Sequence, residues 1–168
     1  SFLFTKSFKW SNSNIRSTWF SKIYNIVSKF MLLKNWKTKR VFFFVKSNLW
    51  VPNKDIYYVQ KIIGFSDEIF IRRIQFNSIE KDCFIGHHLD TDSNPDYLCA
   101  CVIQLGKDYK GGFYRVYQKN NTHIDYKSDY QSLIISDCNY PHEVTKVTAG
   151  SRQSLVFFFS GHSKKNRR

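Results

Sequence analysis

With 168 residues the chain can form one domain with a proper core, not two. Its 42% hydrophobic and 18% aromatic content excludes a disordered polymer. No apolar run approaches the ~20 residues that cross a bilayer, which leaves a soluble or peripheral protein.

The net charge of +13 sits at the ends. Residues 1–50 carry ten Lys/Arg and no acid, residues 161–168 carry Lys164, Lys165, Arg167 and Arg168, and residues 51–160 balance twelve bases against thirteen acids. Basic ends around a neutral middle fit an anionic partner surface, nucleic acid among the candidates, or a solubilising coat on an aromatic-rich protein.

In chain order, Ile15, Trp19, Ile23, Val27 and Phe30 or Met31 recur at helical spacing, with Lys22 and Lys29 elsewhere on the wheel. This predicts a docked amphipathic helix. The same acid-poor composition also describes an organellar targeting segment. "RVFFFVKS" (40–47) predicts a buried strand, and "NKDIYYVQKII" (53–63) a short helix capped by Asn53 or Asp55 and closed by Gly64. There follow "DEIFIRRIQFN", "CFIGHHLD", "YLCACVIQL", "GGFYRVYQ", "HIDYK", "SLIISD", "HEVTKV" and "RQSLVFFFS". These β-rich segments alternate with the turn-like stretches "DSNPD", "GKDYKGG" and "KNN", which predicts a mainly β barrel or double-sheet jelly roll. The expected organisation is a basic helical support or extension over 1–60, a β core over 61–162 and a basic tail over 163–168.

Cys83, Cys99, Cys101 and Cys138 contain no CxxC, so a structural zinc site is not expected. On a strand Cys99 and Cys101 share one face, where reduced core thiols are the simplest reading. A reducing, cytoplasmic location is the matching expectation.

The stretch "GHHLDTD" (86–92) holds the first candidate ligands. At a strand end His88 and Asp90 project to the same side, whereas His87 would be paired with Leu89, which cannot coordinate. His-x-Asp alone is a common chance pattern. His142, in "CNYPHEVTKVTAGSRQSLVFFF", adds a third donor, with Gly150 read as a turn and Arg152 on the strand after it. An antiparallel hairpin of that length would bring His142 and Arg152 inward on neighbouring strands. Two histidines and one carboxylate with open positions are the facial triad of non-haem Fe(II) oxygenases. An inward arginine with no nearby acid calls for a carboxylate, which a dicarboxylic co-substrate offers bidentately.

The order H-x-D, "GG", then "HEV…V..G.R.SL" resembles the iron(II)/2-oxoglutarate-dependent dioxygenases, in their prolyl-hydroxylase-like branch, from Gln75 to Gly161. The resemblance implies a double-stranded β-helix (jelly roll) with flanking N-terminal helices. It also implies Fe(II) on His88, Asp90 and His142, and 2-oxoglutarate held by Arg152 with Ser154 and Gln104. Ascorbate is a candidate extra reductant. The implied reaction is hydroxylation of an aliphatic C–H of a protein, peptide, amino-acid or other small-molecule substrate, with release of succinate and CO2. An AlkB-type nucleic-acid demethylase, supported by the basic ends, and a non-catalytic basic binding module on the same fold are the alternatives. Two departures bear on the substrate pocket: Phe113 follows "GG" where an acid is common, and "FNSIEKDC" lacks a tyrosine. Asp92 and Asn139 are candidates to orient the imidazoles, with a surface turn the other reading of Asp92. His87, Tyr97 and Tyr140 are candidate pocket walls, and His123 and His162 are expected to face solvent.

Overall fold

A computed structural model describes residues 59–161 except 62, 66 and 121, together with the backbone of strands at 5–9 and 41–43. The expected helix over 15–31, the start of the helix over 53–63, and His162 lie outside the described residues. The end of the second helix is present as a helical turn from residue 59, which Gly64 closes at φ +68°.

Eleven strands are described: β1 (Thr5–Lys9), β2 (Val41–Phe43), β3 (Phe70–Glu80), β4 (Ile85–His88), β5 (Tyr97–Gln104), β6 (Tyr109–Gly111), β7 (Tyr114–Tyr117), β8 (His123–Tyr126), β9 (Ser132–Asp137), β10 (His142–Val144) and β11 (Val147–Ser160). All pairings are antiparallel. The major sheet runs β1-β9-β5-β11-β3-β2, with β6 paired to the first part of β11; the minor sheet runs β4-β10-β7-β8. The result is the double-stranded β-helix, or jelly roll, that the strand pattern predicts.

Alternation along β11 explains why "LVFFF" is continuously apolar. Val156 and Phe158 join Ile79, Val102, Val116 and Val144 in the core between the sheets. Leu155, Phe157 and Phe159 join Ile74, Cys99 and Cys101 behind the major sheet, where Val59, Ile63 and Phe65 cover them. A strand covered on both faces loses the polar half of its pattern. Cys99 and Cys101 thus do share one buried face, and all four thiols are free.

Three local readings change. "GKDYKGG" is not only a turn, because Tyr109–Gly111 forms β6. Thr5–Lys9 forms a strand on β9, which no alternation in that segment announces. Gly150 is not the turn before the last strand: it lies inside β11, at φ +70° and paired with Tyr109. A Cβ there would collide with the Asp108 carbonyl oxygen, so glycine is required by the close passage of β6. The turn itself is Thr145–Lys146, and it sends β10 and β11 into different sheets. Consequently His142 and Arg152 do not lie on neighbouring strands but line one cavity from opposite walls. No helix among the described residues is long and apolar enough to cross a membrane.

Candidate functional site

The two sheets enclose a cavity of about 530 Å³. His88 ends β4, Asp90 opens a 3-10 turn (Asp90–Asp92), and His142 begins β10, directly opposite His88 in the ladder. Their candidate donor atoms all lie within 4.8 Å of one another. His88 Nε2 is 3.5 Å from Asp90 Oδ1, and His142 Nε2 is 3.6 Å from Asp90 Oδ2. Donors that share an ion through bonds of about 2.1 Å lie no more than about 4.2 Å apart, so both separations suit one shared metal.

Backbone carbonyls set the tautomers. His88 Nδ1 donates to the Gly86 carbonyl at 2.7 Å, and His142 Nδ1 to the Tyr140 carbonyl at 2.9 Å. With the proton on Nδ1, the Nε2 lone pair of each ring turns toward Asp90. Burial pushes the His142 pKa below the ordinary histidine value, against the pull of the Asp90 charge, and so favours the neutral form that a metal needs. Asp90 is 7% exposed, yet its Oδ2 has no hydrogen-bond partner. A buried carboxylate oxygen left unpaired is costly, and a cation at this point removes the cost. Asp92 and Asn139 do not orient the imidazoles. Asp92 accepts from the Leu89 N–H as a turn cap, and Asn139 donates to Asp137.

On the opposite wall Arg152 is 1% exposed. Its Nη1 donates to Ser154 Oγ at 3.3 Å, while Nε and Nη2 have no hydrogen-bond partner. Burial lowers its pKa from the usual arginine value, and the adjacent Tyr109 opposes that shift. A guanidinium does not give up its proton in a protein, so this group calls for an anion with two oxygens. Ser154 also lines the cavity. Gln104 is fully buried and pairs with Ser154 across β5 and β11, but its Nε2 turns to the Gly106 carbonyl, and it is not part of the cavity wall.

Other expected positions separate clearly. His87 is exposed at the cavity rim, with its ring edge-on to Tyr117 at 4.8 Å. His123 is exposed on β8. Tyr97 stacks on Phe158 in the core, and Tyr140 contributes its carbonyl rather than its ring; neither lines the cavity. Tyr114 is a wall residue that the sequence does not single out. Its ring lies 5.1 Å from that of His142, and its hydroxyl hydrogen-bonds with Ser136 at 2.7 Å. Arg73, Gln75 and Asn77 of β3 also line the cavity. Alternation in "FIRRIQFNSIE" puts these three on one face, a signal that needs only the knowledge that β3 borders the site.

A sequence model of the 2OG-Fe(II) oxygenase superfamily matches residues 74–160. The fold resembles the crystal structure of a 2OG-Fe(II) oxygenase family oxidoreductase from Burkholderia pseudomallei, with TM-score 0.74 and 30% identity over 86% of this chain and 81% of that one. A Pseudomonas putida prolyl-4-hydroxylase matches at TM-score 0.61 and 14% identity, over 94% of this chain and 92% of that one. The viral collagen prolyl hydroxylase of Paramecium Bursaria Chlorella virus-1, solved as its 2OG complex, matches at TM-score 0.61 and 14% identity, over 94% and 95%. A search of curated proteins finds no match.

Proposed function

The chain belongs to the 2OG-Fe(II) oxygenase superfamily, whose members use Fe(II) and 2-oxoglutarate, and from that premise we propose that it hydroxylates an aliphatic C–H of a protein, peptide or amino-acid substrate. The observation that carries the reading is the pair of unmet demands facing each other in one cavity: an orphaned carboxylate oxygen on Asp90 and two orphaned N–H-bearing nitrogens on Arg152.

In this reading His88, Asp90 and His142 hold Fe(II), with both imidazoles neutral and bound through Nε2. Arg152 pairs with the distal carboxylate of 2-oxoglutarate, and Ser154 steadies the guanidinium through Nη1. Gln104 stands beside Ser154 in the ladder and donates to the Gly106 carbonyl. When bound, the metal and co-substrate would supply the oxidising chemistry, in which the substrate C–H, dioxygen and 2-oxoglutarate yield the C–OH product, succinate and CO2. The apolar Ala100, Val102, Val144 and Val156 surround the reacting region and keep it poor in water. That raises the strength of every charge interaction inside it. Tyr114 packs its ring beside His142 and, with its hydroxyl tied to Ser136, keeps that wall from collapsing inward.

The test is succinate release dependent on Fe(II) and 2-oxoglutarate, with ascorbate present as an auxiliary reductant. It is coupled to mass spectrometry of products from candidate peptides, amino acids and methylated oligonucleotides. A product heavier by the mass of one oxygen atom supports hydroxylation. Demethylated oligonucleotide with formaldehyde would overturn the substrate assignment, and no co-substrate turnover in any mixture would overturn the enzyme reading.

A further inference from the structure

Two amides sit side by side on the major-sheet wall of the cavity. Gln75 and Asn77 share one face of β3, both line the cavity, and they lie in register with Val156 and Ser154 of β11. Gln75 Nε2 donates to Asn77 Oδ1, which locks the two side chains together. Their remaining atoms, Gln75 Oε1 and Asn77 Nδ2, make no hydrogen bond among the described residues. Turning both amides over exchanges the roles and again leaves one carbonyl and one NH2 for the cavity. The wall thus offers an acceptor beside a donor in either arrangement.

That inventory does not suit the co-substrate. 2-Oxoglutarate at neutral pH carries acceptor oxygens and no donor, so a wall carbonyl would repel it. Asn77 is buried, and an amide left unpaired there costs free energy. A molecule that answers both atoms carries an N–H and a C=O on one edge. A carboxamide does so, and so does a single residue of an extended peptide, whose N–H and C=O point the same way. A nucleobase edge also sets a donor beside an acceptor, but a base is gripped between stacking faces. The rings of Phe158 and Tyr114, which line the cavity, are already engaged, the first stacked on Tyr97 and the second against His142. The floor beside the amide pair is aliphatic, made by Val156 with Ala100 and Val102 of β5.

We propose that the substrate is held by an amide edge, its N–H and C=O paired with the Gln75–Asn77 couple, while its aliphatic part lies between the floor of Ala100, Val102 and Val156 and the metal ligands of the facing sheet. This rests on the oxygenase reading of the site and narrows its substrate class to amides. Gln75 and Asn77 then set specificity. An ester of the same shape lacks the N–H and leaves the wall acceptor buried and unpaired, whereas a carboxylate brings oxygen against oxygen.

The test uses the full chain loaded with Zn(II), which occupies the ligands without redox chemistry, and with saturating 2-oxoglutarate so that Arg152 is engaged. Two amide–ester pairs are titrated by saturation-transfer NMR: hexanamide against methyl hexanoate, and N-acetylalanine methylamide against O-acetyllactic methylamide, in which an ester oxygen replaces the alanine N–H. In at least one pair the amide should bind about fivefold tighter or more, the scale of leaving one buried acceptor unpaired. The pair with the larger gap names the source, a side-chain carboxamide or a peptide main chain. Gln75→Leu with Asn77→Leu should erase the preference, and Gln75→Leu alone, which leaves one unclamped amide, should shrink it. Thermal unfolding reports whether each variant folds. Equal binding of amide and ester in both pairs, an undiminished preference in either folded variant, or tighter binding of 9-ethyladenine than of either amide overturns the inference and leaves the oxygenase reading standing. Loss of 2-oxoglutarate binding in the folded double variant would assign the pair to the co-substrate and overturn it too. Failure of 2-oxoglutarate to bind the parent overturns the site reading, and the inference with it.

Discussion

The minor sheet presents lone pairs to the cavity, through His88, Asp90 and His142, while the major sheet presents N–H and O–H donors through Arg152, Ser154 and Arg73. Their construction differs as much as their chemistry. The minor sheet has strands of three or four residues, and its ligands take their orientation from local carbonyls at Gly86 and Tyr140. The major sheet places Arg152 and Ser154 on β11, a 14-residue strand paired on both sides and covered on both faces. A metal site needs only a few atoms set by neighbours two residues away. A buried cation awaiting an anion needs the whole core to hold it out of water. The two halves of the site should therefore fail independently.

The largest expected effect is on the lone-pair wall. Asp90→Ala should reduce Fe(II)-dependent succinate formation by more than the roughly 10–100-fold that loss of an outer hydrogen-bond partner of a metal ligand costs. Metal-free Asp90→Ala should unfold at the same temperature as the parent or a higher one, because an orphaned buried oxygen costs about 1–3 kcal/mol. A succinate assay checks the first statement and calorimetry of the metal-free proteins the second. A large stability loss without metal would make Asp90 a structural residue and break the contrast between the sheets.

On the donor wall, Arg152→Ala should weaken 2-oxoglutarate binding by roughly 30-fold to several thousand-fold, the 2–5 kcal/mol lost when one partner of a buried charge pair is truncated. Iron affinity measured without the co-substrate should not change. In the parent, 2-oxoglutarate at 100 times its Kd should stabilise the fold by about 2.7 kcal/mol, and in the variant the same concentration should give less than about 1 kcal/mol. A parallel loss of iron affinity would mean that the sheets are mechanically coupled after all.

Much of this site is legible in the amino-acid sequence. His-x-Asp, the distal histidine and the arginine ten residues beyond it are a short-range pattern, and each residue type carries its chemistry on its face. What the sequence hides depends on long-range geometry. Gly150 has the look of a turn because turns favour glycine, yet here glycine answers to the carbonyl of Asp108, which sequence spacing cannot bring near. That one misplacement puts His142 and Arg152 on adjacent strands instead of opposite sheets. Arg73, Gln75, Asn77 and Tyr114 are invisible as wall residues for the same reason. Their alternation is plain, but which face turns inward depends on the closure of the jelly roll. The orienting groups of His88 and His142 escape because they are main-chain carbonyls, which carry no side-chain signature.

A subtler way to move Arg152 is through Gly112. A Cβ there would meet Arg152 Cδ at 2.9 Å and Val147 Cγ2 at 3.1 Å, and the residue sits at φ +62°. Gly112→Ala should cost about 1–3 kcal/mol in stability from the backbone alone. It should also weaken 2-oxoglutarate binding about tenfold, since the guanidinium must shift by a fraction of a hydrogen-bond length. Iron affinity should again be spared. If both affinities fell together, Gly112 would be disturbing the core at large rather than the donor wall.

The smallest effect is expected on the outer face of the minor sheet. Arg115 of β7 makes two bonds to Asp125 of β8, at 2.7 and 2.9 Å, and reaches Glu143 of β10 at 3.3 Å. The bond from Arg115 holds the Asp125 pKa below the usual carboxylate value, against a modest opposing effect of desolvation. A depressed folded pKa gives stability that is present above the unfolded value of about 3.9 and is lost as the pH falls through the folded value. Arg115→Ala should therefore lower stability at pH 7 by no more than about 1 kcal/mol, the ceiling for exposed ion pairs. The gap from the parent should close as the pH drops below about 4 and shrink in high salt. Metal affinity should change less than about threefold, because the ligand orientations come from Gly86 and Tyr140 on the same short strands and not from this cross-strand bridge. A penalty well above that ceiling, or a matching loss of metal, would show that three-residue strands need their outer face clamped before their inner face can bind.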